Sequence, residues 1–101
     1  MKAVMNGVTI AEADKDELIF IERNWYFPPK SVKVELRKSD TPYTCPWKGV
    51  CQYFDVKGQG EAWTHDAAWS YPEPKPSAIE IVKKDFSNYL AFDPQQVSIE
   101  E

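Results

Sequence analysis

The sequence is short of almost everything that usually announces a function. It has one histidine, two cysteines and four glycines in 101 residues. Two cysteines are too few for a disulfide framework, and without an export signal they are expected to be reduced thiols of a cytoplasmic protein. No stretch approaches the roughly 18 apolar residues of a membrane span, and residues 1–7 offer no apolar segment of a signal peptide. No membrane role is expected. The scarce glycines form no phosphate-cradling loop, and neither a nucleophile-elbow serine nor an H-E-x-x-H pair is present. Cys45, Cys51 and His65 are the only strong soft ligands, none paired as Cys-x-x-Cys. A closed zinc site needs four, so no metal and no cofactor are expected. Positive charge is short as well: twelve Lys and Arg stand against sixteen Asp and Glu, for a net charge of −4. The densest basic segment, residues 30–38, is interrupted by Glu35, and Lys83-Lys84 is flanked by Glu80 and Asp85. Nucleic-acid binding needs a clustered basic footprint and is not expected.

Aromatic residues are plentiful: four Trp, five Tyr and five Phe. Large rings dominate core burial, which suits a single domain spanning residues 1–101 that must build its core from few side chains. Residues 4–10 read as a β-hairpin around Asn6-Gly7, the pair that best supplies the two positive-φ positions of a type I′ turn. Residues 17–22 form an apolar run expected to be a buried strand, stopped by Pro28-Pro29, and Asp14-x-Asp16 before it reads as a turn. Ser31 is a candidate cap for a short helix with Val32 and Leu36 on its buried side, although residues 31–36 also alternate like a strand. Residues 39–42 read as a turn. Residues 50–56 are the clearest later strand, with 61–65 as its antiparallel partner after Gly58-Gln59-Gly60. On that strand Val50, Phe54 and Val56 share one face, and Cys51, Tyr53 and Asp55 share the other. Residues 72–76 are a stiff proline-rich loop. Ser77 has capping-box spacing to Glu80 and is expected to open a helix of about two turns. Residues 89–92 and 97–99 are expected to close the chain as a hairpin around Asp93-Pro94. The fold class expected is mainly β: a compact sandwich or partly open barrel of short antiparallel strands with one or two short helices.

Information concentrates in Thr44-Cys45-Pro46-Trp47-Lys48-Gly49. With Tyr53 on the following strand, then Asp66-Ala67-Ala68-Trp69-Ser70-Tyr71-Pro72-Glu73-Pro74, the chain resembles the domain of unknown function 427 family. Upstream, Asn6-Gly7, Glu12 and Glu22-Arg23-Asn24-Trp25-Tyr26-Phe27-Pro28 fit the same pattern in the same order. Trp25, Cys51 and Ser70 depart from it, standing where histidine, alanine and a second tyrosine are common. The resemblance implies a small β-tent, two antiparallel sheets pinned at one end. It implies no reaction, and fold alone is no functional warrant.

Several residues carry possible chemistry. Cys45 lies in a turn near Lys48, and a neighbouring ammonium favours a reactive thiolate. Its base could only be His65, and a small space-filling cysteine explains it as well. Lys48 could lie over an aromatic face, or pair with Asp66 or Glu22 inside a pocket and hold a ligand's carboxylate or phosphate. Asp66 could accept a hydrogen bond from a ligand, act as a base, or cap its own turn. By alternation Glu22, Asn24 and Tyr26 point one way, as residues lining a cleft would. The expected function is binding of a small ligand in an aromatic-lined pocket. Tyr26, Trp47, Tyr53, Trp69 and Tyr71 would form its walls, with Cys45 nearby and Glu22, Asn24, Lys48 and Asp66 as polar groups. The alternative is a non-catalytic protein-interaction module docking through its Trp and Tyr surface. Whether any reaction is catalysed stays open.

Overall fold

A computed structural model describes residues 1–101. Nine strands form three antiparallel sheets that do not close into a barrel. Strands β1 (Lys2–Met5), β2 (Val8–Glu12) and β9 (Ser98–Glu100) make a three-stranded sheet in the order β2-β1-β9. Strands β3 (Ile19–Ile21) and β4 (Asn24–Tyr26) form a two-stranded ribbon. Strands β5 (Leu36–Cys45), β6 (Gly49–Lys57), β7 (Trp63–Ser70) and β8 (Ala91–Phe92) form the largest sheet, in sequence order. One helix, α1 (Pro76–Val82), and two 3-10 turns complete the chain. No helix is long and apolar enough to cross a membrane. The mainly-β expectation holds, with a third, two-stranded sheet beyond the two that the resemblance implies.

Two hydrophobic clusters flank the large sheet. Cross-strand partners separate them: Ala68 faces Phe92 and belongs to the first cluster, whereas Trp69 faces Ala91 and packs on the second. The first cluster holds Met5, Ile10, Phe27 and Val56. The second holds Tyr26, Cys45, Cys51, Tyr71 and Phe86, beneath α1 and the β3–β4 ribbon. Mutual backbone hydrogen bonds of 2.8 Å between Phe27 and Leu90 tie the ribbon to the large sheet.

Turn chemistry explains the hairpins unevenly. Asn6 and Gly7, at φ 51° and 78°, make the expected tight turn between β1 and β2. The ribbon turns just as tightly on Glu22 and Arg23, at φ 50° and 70°. Neither is glycine or asparagine, so this turn carries steric strain of roughly 1–2 kcal/mol per residue. The expected strand over 17–22 therefore ends at Ile21. Asp14 begins a 3-10 turn in which its backbone N–H donates to Glu17 Oε1 at 3.3 Å, so the acidic pair is the turn expected.

Other expectations give way for local reasons. Residues 31–36 form no helix. Pro29–Ser31 is a 3-10 turn, after which the chain runs extended, with Lys33 N–H donating to the Ile10 carbonyl at 2.8 Å. Val32, Val34 and Leu36 pack on the first core with the period of a strand. Residues 39–42 do bend, but inside β5: Lys38 pairs with Phe54 and Pro42 with Gln52, so three residues bulge opposite Tyr53. The partner of β6 is Trp63–Ser70, not 61–65, because a second bulge carries β7 on past His65. Val50 is 66% exposed, since the face it shares with Phe54 and Val56 runs beyond the first core. Helix α1 starts on Pro76, whose fixed φ suits the first turn, so Ser77 lies inside it and caps nothing. The closing segments do not form a hairpin: β8 joins β7, and β9 crosses to pair with β1.

Candidate functional site

Gly49 fixes the geometry of the Cys-Pro-Trp-Lys-Gly turn. Its φ is +119°, and a Cβ there would lie 3.3 Å from the Glu73 carbonyl. The proline-rich loop lies directly against this turn. Lys75 donates its backbone N–H to the Lys48 carbonyl at 2.9 Å and its Nζ to the Pro46 carbonyl at 2.8 Å. The turn thereby drives Lys48 inward, leaving its side chain 7% exposed.

The Lys48 ammonium is bonded to Glu22 Oε1. It also lies 5.1 Å from the centroid of Tyr71 and 5.3 Å from that of Trp47. Glu22 Oε2 accepts from Trp47 Nε1 at 3.5 Å. Burial depresses the lysine's pKa, but the Glu22 hydrogen bond and the nearby Tyr26 and Glu22 groups outweigh it, and the net shift is upward. The same Lys48 hydrogen bond holds the Glu22 carboxyl below its ordinary value. The ammonium is therefore a permanent charge at neutral pH.

Behind it the rings are packed together. Tyr26 is fully buried and its hydroxyl accepts from Trp69 Nε1 at 3.1 Å. Phe86 meets Tyr26 and Tyr71 edge-on at 6.3 and 6.2 Å, and Tyr53 lies 6.3 Å from Trp69. Burial raises the pKa values of Tyr26 and Tyr71. It also pushes the Cys51 thiol up to about 11. Cys45 and Cys51 are both buried free thiols. They are diagonal neighbours across β5 and β6, because Cys45 pairs with Gly49 and Cys51 with Tyr43.

Of the ten residues singled out from the sequence, eight gather here: Glu22, Tyr26, Cys45, Trp47, Lys48, Tyr53, Trp69 and Tyr71. Six of them form a filled core, and Glu22 and Trp47 at its edge also line the neighbouring cleft. Asn24 is half-buried and donates only to the Glu22 carbonyl, at 3.4 Å. Asp66 lies elsewhere, at φ 50° in the β7 bulge, and accepts from the Thr41 hydroxyl at 2.6 Å. It joins a second polar group that sequence reading missed. There Asp55 Oδ2 receives Arg37 Nε and Nη2 at 3.2 and 3.0 Å, and Asp55 Oδ1 receives the Asp66 N–H at 3.1 Å. His65 is held between Asp55 and Asp66, at 2.8 and 3.3 Å, and makes no bond to Cys45. The ligand atoms of Asp55, His65 and Asp66 lie within 4.8 Å of one another, so these three are the residues that could hold a cation. With four donors already on Asp55, the group works as a clamp across β5, β6 and β7. The available signal was Asp55 itself, a charge in mid-strand on the face shared by Cys51 and Tyr53.

The cavity beside the aromatic core is a cleft of about 480 Å³ between the ribbon, the Trp47 turn and the end of α1. Phe20 and Trp25, 4.6 Å apart on the outer face of the ribbon, line it together with Ile21, Trp47, Ile81 and Val82. Only Glu22 and Lys84 bring charge to its lining. Lys48 lies directly behind Glu22 and Trp47. None of the curated proteins matches the chain. A family model does, along residues 1–101, and the chain belongs to the family described as Domain of unknown function (DUF427).

Proposed function

We propose that this domain binds a small ligand in the aromatic-lined cleft, with the Glu22–Lys48 pair as its polar corner. The carrying observation is a buried ammonium whose single carboxylate partner is 53% exposed at the edge of an apolar cleft. Burying a lysine is costly, and stability alone rarely requires it. The strained turn that presents Glu22 adds to the case, because strain is retained where the surroundings over-determine it and often where function needs it. The cleft has the size and lining of a small-molecule site: mostly apolar walls and few polar groups. Asp66, on the clamp, takes no part.

The experiment is a two-dimensional NMR titration with flat aromatic fragments. Saturable shifts should centre on Phe20, the indole N–H groups of Trp25 and Trp47, and Ile81. Shifts scattered over the surface, or confined to the Asp55 clamp, would refute the reading. A protein-interaction role is the second reading, favoured by the exposure of Phe20 at 55% and Ile81 at 66% on the same cleft. Saturable one-to-one occupancy of the cleft by a single fragment favours the ligand reading over a docking patch.

A further inference from the structure

The corner of the cleft has the form of a receptor for one carboxylate. Two donors converge there, Lys48 Nζ on Glu22 Oε1 and Trp47 Nε1 on Glu22 Oε2, so both oxygens of the protein's own carboxylate are engaged. The lysine can hardly leave, being fixed by the Gly49 turn and enclosed between Trp47 and Tyr71. Glu22 can. Its side chain is already half in solvent, on a two-residue turn at positive φ. A carboxylate that swings into water loses little, because water restores most of the hydration it lacked.

We propose that Glu22 is a built-in occupant of this receptor, and that the ligand is an aromatic monocarboxylate that displaces it. The inference rests on the reading of the cleft as a ligand site. Incoming carboxylate oxygens take the Lys48 and Trp47 donors, and the flat body lies along Phe20, Trp25 and Ile81. A cationic ligand meets the half-exposed Glu22 carboxylate first and has no reason to displace it from Lys48. The corner itself offers one ammonium and one indole N–H, a match for one carboxylate, while Lys84, the cleft's other cation, lies past the end of α1. One negative charge on a flat apolar body is what the corner complements.

The test compares 2-naphthoate with 2-naphthamide by calorimetric titration and tryptophan fluorescence. The wild-type protein should bind naphthoate saturably, and the amide about tenfold more weakly or not at all, the worth of one charge-assisted hydrogen bond. Glu22→Gln removes the competing charge and should tighten naphthoate binding about tenfold while leaving the amide unchanged. Lys48→Met should abolish the preference for naphthoate. Trp47→Phe keeps the ring but removes the donor, so it should weaken naphthoate several-fold and spare the amide; this arm decides if Lys48→Met folds poorly. Equal binding of acid and amide, unaffected by Glu22→Gln, overturns the displacement inference and leaves the cleft as a site for apolar bodies. Weaker naphthoate binding by Glu22→Gln also overturns it, because Glu22 would then be a ligand contact. If neither probe binds and the fragment titration is silent at the cleft, the site reading itself falls.

Discussion

Replacing Lys48 by methionine should leave stability nearly unchanged, although the lysine is buried and ion-paired. Its side chain is 7% exposed, and methionine has nearly the same length without the charge. The variant loses the Glu22 bond and the Trp47 and Tyr71 cation–π contacts, the latter worth about 0.5–2 kcal/mol. Against this, it no longer holds an ammonium out of water, a penalty of several kcal/mol that offsets much of what those contacts return. Glu22, half-exposed, is then solvated without difficulty. The net change should stay within about 1 kcal/mol of zero. Glu22→Gln is the asymmetric case: the ammonium stays buried and its counter-charge goes. Breaking fully buried pairs costs about 3–5 kcal/mol; because water can reach the place Glu22 leaves, about 2 kcal/mol is expected here. Equilibrium unfolding in urea at pH 7 measures both, with the double variant closing the cycle. If Lys48→Met costs more than about 3 kcal/mol, well beyond Glu22→Gln, the lysine is a structural keystone. The argument that it is kept for a ligand would then fail.

Three further outcomes follow from the same geometry. Gly49→Ala should cost about 2–4 kcal/mol, since it combines positive φ with a 3.3 Å approach to the Glu73 carbonyl. Gly7→Ala, also at positive φ but with open space around it, should cost about 1 kcal/mol; equal costs in thermal melts would discount the loop contact. The Asp55 carboxyl is held below its ordinary 3.8 by the Asp66 N–H, Arg37 and His65. A depressed folded value stabilises above the ordinary value and loses that contribution as pH falls, so Asp55→Asn should flatten the decline of melting temperature below about pH 4. An unchanged acid limb would count against the clamp. Cys45 and Cys51 should resist alkylation at pH 7 in the native state and take two adducts in urea, and rapid native labelling would contradict their burial.

Local signals in the sequence translated well where the cause was local. Asn6-Gly7 made its turn, Asp14 to Asp16 made theirs as a 3-10 turn, and residues 72–75 made a loop, with Pro76 already in α1. Signals failed where a distant partner decided. Residues 39–42 have turn chemistry and do bend, yet strand pairing resumes on both sides because β6 holds Leu36–Lys38 and Pro42–Cys45 alike. Consecutive buried pairs, Ile10-Ala11 and Ala67-Ala68, break the period of two because bulges swing neighbouring residues to one side. The Tyr89–Phe92 and Val97–Ile99 segments resembled a hairpin, but each found its partner in a different sheet.

The candidate site was legible in membership and misread in shape. Motif spacing pointed to Lys48, Trp47, Tyr26, Trp69 and Tyr71, and the structure gathers them because β6, β7 and the ribbon converge on the second core. A list of rings does not say whether they face each other or a void, and here Phe86, from a segment that carries no motif, fills the space between Tyr26 and Tyr71. The cleft moved outward to the ribbon's other face, where Phe20 and Trp25 point because Ile19, Ile21 and Tyr26 take the inner one. Asp66 was grouped with Lys48 because residues 61–65 were expected to pair with 50–56 and so bring the next residue to the start of that strand. The bulge at φ 50° instead turned its carboxylate toward Thr41. The Lys48–Glu22 pairing was among the expectations, but the turn that makes it was not, since alternation placed Glu22 in a strand beside Asn24 and Tyr26. Two residues with poor turn propensity made the turn because the carboxylate of one meets a buried ammonium 26 positions away. That pairing joins two of the three motifs on which the resemblance to the family rested: residues 44–49 supply the charge and residues 22–28 supply its partner.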